Sequence, residues 1–225
     1  MKITRKELNK HIKVATKDMV KKYGYKTRGN VLYKKSGDYF ISIILVATGV
    51  NNNLINASGN VKPYFLDDIF WEVFQMSENL KEPIGLRANG AFTIKGLQVY
   101  DQHREIDNYD DVEGYVAELL KECDSEIEVV INKDGSDFRK FIDYSRSVEM
   151  PGLYKPELAE MLLDIKEENY QAARELALYE IKNHRYGNLE NKGKDIYQHV
   201  VDFCEVRVKQ RNYIDCGDRV IGYDI

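Results

Sequence analysis

Tyr39 to Ala47 is a nearly unbroken apolar run with one serine inside it, and it follows the turn-forming triplet Ser36-Gly37-Asp38. A run of that length rich in β-branched residues reads as a strand covered on both faces, so other elements must be found to cover it. Asn30 to Lys35, on the other side of the triplet, has the composition of its hairpin partner. The run falls far short of the roughly 20 apolar residues of a membrane helix, and the N-terminus lacks a signal peptide's apolar core. A soluble, cytoplasmic chain without membrane association is expected.

The first covering element is a helix. Thr4 and Glu7 have capping-box spacing, Leu8, Ile12, Ala15, Met19 and Tyr23 recur on one side, and Gly24 can close the helix. Leu54 to Ser58 reads as a short strand. After Pro63, Leu66, Ile69, Phe70, Val73 and Phe74 mark an amphipathic helix over Phe65 to Met76. Asn89-Gly90, between Ile84 to Ala88 and Ala91 to Tyr100, predicts a second hairpin through a type I′ turn. Asn108 to Asp111 offers caps to a helix through Cys123, and Ser125 to Ile131 reads as a further short helix or as a strand. Phe138 to Ser145 has a helical pattern.

Met150 to Pro156, with two prolines and a glycine, is the best boundary in the chain, and three helical stripes follow it. Gly187 and Gly193 bracket the loop before the third, and Tyr213 to Ile225 reads as a final strand or a packed tail. The fold class is therefore α+β: an antiparallel sheet of hairpins covered by helices over residues 1–150, then a helical segment over 151–225. The 225 residues, 43% of them hydrophobic, suffice for one large or two small cores.

Charge is unevenly distributed. Residues 1–35 hold twelve Lys and Arg against Glu7 and Asp18, a net of +10, and the other 190 carry a net of −14. Lys6, Lys10, Lys13, Lys17 and Lys21 fall on one stripe, about 180° from the apolar side of the first helix. The stripe is either a solvated face or a docking face for an acidic protein, and the acidic remainder offers the converse, a surface for a basic protein. Nucleic acid is the poorer partner, because the bulk of the chain would repel phosphate and no recognised nucleic-acid motif accompanies the lysines.

Motifs for chemistry are sparse. Asp101, His103 and Glu105 alternate, so on a strand they would share one face and could present a general base or metal ligands. The other reading is a polar strand end. His184, His199 and Cys204 have no short metal-binding spacing, and Cys123, Cys204 and Cys216 form no close pair, which fits reduced thiols. Glu167 and Glu168 precede a small-residue helix seen in one copy only, so no repeat array is indicated. There is no nucleophile elbow or phosphate-binding glycine loop. No catalytic residue, cofactor or metal is assigned. Sixteen tyrosines, several in the C-terminal half, suit either a recognition surface or the edge of a small core.

Gly24-Tyr25-Lys26, the run Arg28 to Lys34, and the apolar strand Phe40 to Val46 together resemble an uncharacterised family of bacterial domains of the DUF4304-like type, over about residues 1–120. The sequence departs from it at Leu32, where a Phe is more usual, and in the helical segment after Met150. The resemblance implies a helix-capped sheet, and some such small proteins are immunity partners of secreted toxins; it transfers no catalytic residue. The expected function is a non-enzymatic protein-binding module, in its finer form an immunity protein. The alternatives are a metal-dependent hydrolase or nuclease-like enzyme using Asp101, His103 and Glu105, and a scaffold or regulatory subunit docking through its C-terminal helices.

Overall fold

A computed structural model describes residues 3–50, 53–90, 92–134, 137–147 and 155–217. The chain is α+β and divides into two compact units, Met1–Phe65 with Glu82–Tyr154, and Leu66–Lys81 with Lys155–Ile225. The proline-rich stretch expected to separate two domains lies, up to residue 154, outside the described residues.

The first unit is built on a five-stranded antiparallel sheet, β1 (Lys26–Arg28), β2 (Val31–Ser36), β3 (Tyr39–Thr48), β4 (Leu54–Pro63) and β5 (Leu97–Glu105), paired in chain order. The apolar run is its central strand. Gly37, at φ 55°, closes the β2–β3 hairpin in a backbone conformation that glycine adopts without strain. β4 extends five residues beyond the short strand expected from Leu54 to Ser58. Its Asn56, Ser58 and Asn60 hide the strand from hydropathy because they occupy one face, while Ile55, Ala57, Gly59 and Val61 are buried on the other.

Helix α1 (Arg5–Lys22) begins at Thr4, whose Oγ1 accepts a bond from the Glu7 N–H at 3.3 Å. It lies over β3, and α4 (Val112–Asp134) lies against α1 and over β4 and β5. Arg5 donates to the Ala47 carbonyl and the Ala47 N–H donates to Asn9, at 3.1 and 2.9 Å. These two bonds serve backbone at a place where β3 has run past the end of β2. α4 is one continuous helix through Ser125 to Ile131, which settles that segment as helical and removes the break expected after Cys123. α5 (Phe138–Ser147) sets Phe138 and Phe141 against Tyr39.

The second hairpin does not form. Leu86–Asn89 is instead a short helix, α3, and Gly90, at φ −69°, ψ 151°, is an ordinary extended cap rather than half of a type I′ turn. Pro83 begins the turn, its carbonyl accepting from the Leu86 N–H, and β5 pairs with the long β4. Turn chemistry at Asn89-Gly90 thus lost to a stronger pairing partner outside the local sequence.

The second unit is helical: nearly all of α2 (Phe65–Val73), then α6 (Pro156–Lys166), α7 (Tyr170–Lys182) and α8 (Ile196–Gly217). Between α7 and α8 a ribbon of two-residue strands, β6 (Glu190–Asn191) and β7 (Lys194–Asp195), occupies the glycine-bracketed loop. Tyr213 to Gly217 continues α8, and residues 218–225 lie outside those described. Phe74 packs on Phe70 and meets the His199 ring edge-on, and Leu162, Ala173, Ala177 and Val200 are buried.

Candidate functional site

The five stripe lysines of α1, Lys6, Lys10, Lys13, Lys17 and Lys21, are all exposed. Lys10 approaches Glu7 at 3.9 Å on the surface, and the other four have no acidic partner among the described residues. At the helical rise the stripe is about 22 Å long. The inward side is rotated from its expected position: Leu8, Ile12 and Thr16 are buried, whereas Ala15, Met19 and Tyr23 are half-buried. Thr16 sits on that side because its hydroxyl donates to the Lys13 carbonyl and so needs no solvent.

That rotation turns a flank of α1 toward a groove. α1 covers β3 and α4 covers β4 and β5, and between α1 and the β1–β2 hairpin a concavity of about 860 Å³ opens. Ile12, Thr16 and Val20 of the helix, Leu32 of β2 and Leu45 of β3 line it, with Lys13, Lys17 and Lys21 along the helical wall and Thr27 and Asn30 on the hairpin side. The sequence reading missed this groove. The available signal was Thr16 and Val20, which fall between the apolar side and the lysine stripe.

Beneath the sheet end lies a buried polar cluster that the sequence also hid. Tyr25 and Lys34 both donate to Asp124 Oδ1 at 2.6 Å, and the Lys34 ammonium lies over the Tyr25 ring. Burial and then the Asp124 bond push the Tyr25 hydroxyl well above its ordinary range, so it remains a donor. Cys123, beside Asp124, is buried, and its thiol is likewise pushed up, chiefly by burial. On β5, at the other edge of the sheet, Tyr100 donates to Glu122 at 2.6 Å and Arg104 binds the other carboxylate oxygen at 2.7 Å. The Tyr100 hydroxyl bond, then Arg104, hold Glu122 below the usual carboxylate range.

Asp101, His103 and Glu105 do share a face of β5, opposite the one α4 covers, and all three are exposed. Asn56 donates to Asp101 at 2.7 Å and Asn53 to Glu105 at 2.6 Å, so the two carboxylates are held by amides of and beside the adjacent strand. Among the described residues no three His, Cys, Asp or Glu side chains are grouped to hold a metal ion.

In the second unit the expected residues are dispersed. His184 is exposed, with φ 54°, while His199 and Cys204 are buried on α8. His199 Nε2 lies 2.9 Å from the Asn191 carbonyl, which makes it a brace for the ribbon. Glu167 and Glu168 are exposed at the end of α6. Tyr179 and Tyr186 are exposed and Tyr197 is buried; Tyr154 and the side chains of Tyr213 and Cys216 lie outside what is described. No helix among the described residues is long and apolar enough to cross a membrane. No protein-family model matches the chain, and the comparisons with curated proteins and with solved structures found no match.

Proposed function

We propose that this chain is a non-enzymatic protein-binding module that engages an acidic partner through α1, and in the finer form of that reading an immunity protein that occludes a toxin. The observation that carries it is the stripe of five exposed lysines, four of them without an acidic partner among the described residues, on a chain whose residues 36–225 are net negative. An unpaired row of like charges raises the rate of encounter with an oppositely charged surface and does little for the fold. The resemblance of about residues 1–120 to an uncharacterised DUF4304-like type, some relatives of which are immunity-protein-like, supports the finer reading.

The test is capture of a stoichiometric partner from the native host by the full chain, compared with a variant carrying Gln at Lys6, Lys10, Lys13, Lys17 and Lys21. The variant is expected to associate more slowly and with a flatter salt dependence at an unchanged melting temperature. Equal capture by both proteins, with the same response to salt, assigns the lysines to solubility and removes the reading. A neighbouring toxin gene whose product is the captured protein supports the immunity form.

A further inference from the structure

We propose that the groove between α1 and the β1–β2 hairpin receives an acidic, amphipathic segment of the partner protein, its apolar side chains entering against Val20, Leu32 and Leu45 and its carboxylates meeting Lys13, Lys17 and Lys21. The inference rests on α1 being the contact surface and adds where on that surface the partner docks and what it must look like. Three features select this occupant. The cavity, about 860 Å³, lies in the range of sites that enclose a ligand's apolar portion. Its positive wall runs lengthwise, since Lys13 to Lys21 spans about 12 Å of helix, and a row of carboxylates matches it where a single anionic head group would meet one lysine. None of the three lysines has an acidic partner among the described residues.

The same features weigh against other polyanions. A sugar–phosphate backbone gains nothing from a floor of Leu32 and Leu45, and a planar anionic bilayer cannot follow a concave wall. An amphipathic segment uses both parts of the groove, with the apolar contact fixing register and the charges fixing orientation.

The probe is a synthetic Leu/Glu amphipathic peptide of about four helical turns, titrated into the full chain and followed by calorimetry, with polyglutamate and phosphatidylserine vesicles as comparisons. Thr27 is exposed on β1 and borders the groove, so Thr27→Trp fills it from the sheet side without disturbing the core; Val20→Trp fills it from the helix. Either substitution is expected to weaken the peptide by about tenfold or more, as is the Gln triple variant at Lys13, Lys17 and Lys21, with circular dichroism melts like the parent. Gln at Lys6 and Lys10, on the stripe but outside the groove, is expected to change affinity by less than about twofold. Peptide binding that ignores Thr27→Trp, or polyglutamate or vesicles binding as tightly as the peptide, overturns the groove. If Thr27→Trp is silent while both lysine sets weaken binding equally, the stripe stands as the contact and the groove falls; if no variant matters, both fall.

Discussion

Tyr25 and Asp124, ninety-nine positions apart, are joined by a buried hydrogen bond of 2.6 Å, and Lys34 reaches the same carboxylate oxygen. This cluster ties the turn after α1, through Tyr25, and β2, through Lys34, to the middle of α4. Removing only the hydroxyl, in Tyr25→Phe, leaves Asp124 paired with Lys34 and is expected to cost about 1 kcal/mol in urea unfolding. Asp124→Ala strips Lys34 of its buried counter-charge and is expected to cost about 3 kcal/mol. Equal effects of the two substitutions would show that the carboxylate does not hold both donors.

Gly59 lies in β4 directly beneath α4. A methyl group there would run into the Cys123 sulfur and press on Ile127 and Tyr100, so Gly59→Ala is expected to destabilise the first unit by about 2 kcal/mol. Adding Cys123→Ala removes the sulfur and should recover about 1 kcal/mol of that in a double-mutant cycle. Strict additivity would mean that helix and strand are farther apart than described.

The rotation of α1 is tested by two substitutions on its inward side. Ile12 is 3% exposed and Met19 is half-buried. Ile12→Asp is expected to lower stability by about 4 kcal/mol and Met19→Asp by about 1 kcal/mol, measured by chemical denaturation. The opposite order would restore the inward face read from the apolar periodicity alone.

Alkaline pH is expected to weaken the second unit. Burial pushes the Cys204 thiol from an ordinary value of 9.0 up to about 12, and the Tyr197 hydroxyl from 10.0 up to about 12. Both groups stay protonated in the folded chain after the unfolded chain has lost its protons, so their contribution is complete below pH 9 and is lost as pH rises from about 9 towards 12. Cys204→Ala should flatten the fall of melting temperature across that interval. Below pH 9, Cys204 and the buried Cys123 should resist alkylation in the native chain and react on unfolding, read by peptide mass spectrometry.

What was legible in the sequence was local. The α1 cap at Thr4, the β2–β3 hairpin at Gly37 and the helical patterns of α2, α6, α7 and α8 are written in residues within a few positions of each other, and the structure has them. The extra length of β4 and the absence of a hairpin at Asn89-Gly90 depend on one long-range pairing, β4 with β5, that neither segment announces. The lysine stripe is equally local and lies exposed along α1. Its groove was not legible, because it forms where a helix flank meets a strand end, and Tyr25, Lys34 and Asp124 carry no mark of their meeting.

The insertion of Leu66–Lys81 between β4 and β5 has a consequence during synthesis. Phe70 and Phe74 leave the ribosome early, yet the His199 ring against which Phe74 rests follows 125 positions later. At about 5–20 residues per second, the aromatic segment waits on the order of ten seconds without its eventual neighbours. Nascent chains of this protein should therefore depend on chaperone cover for that interval, and a ribosome stalled before α8 should present an apolar segment that the finished molecule conceals.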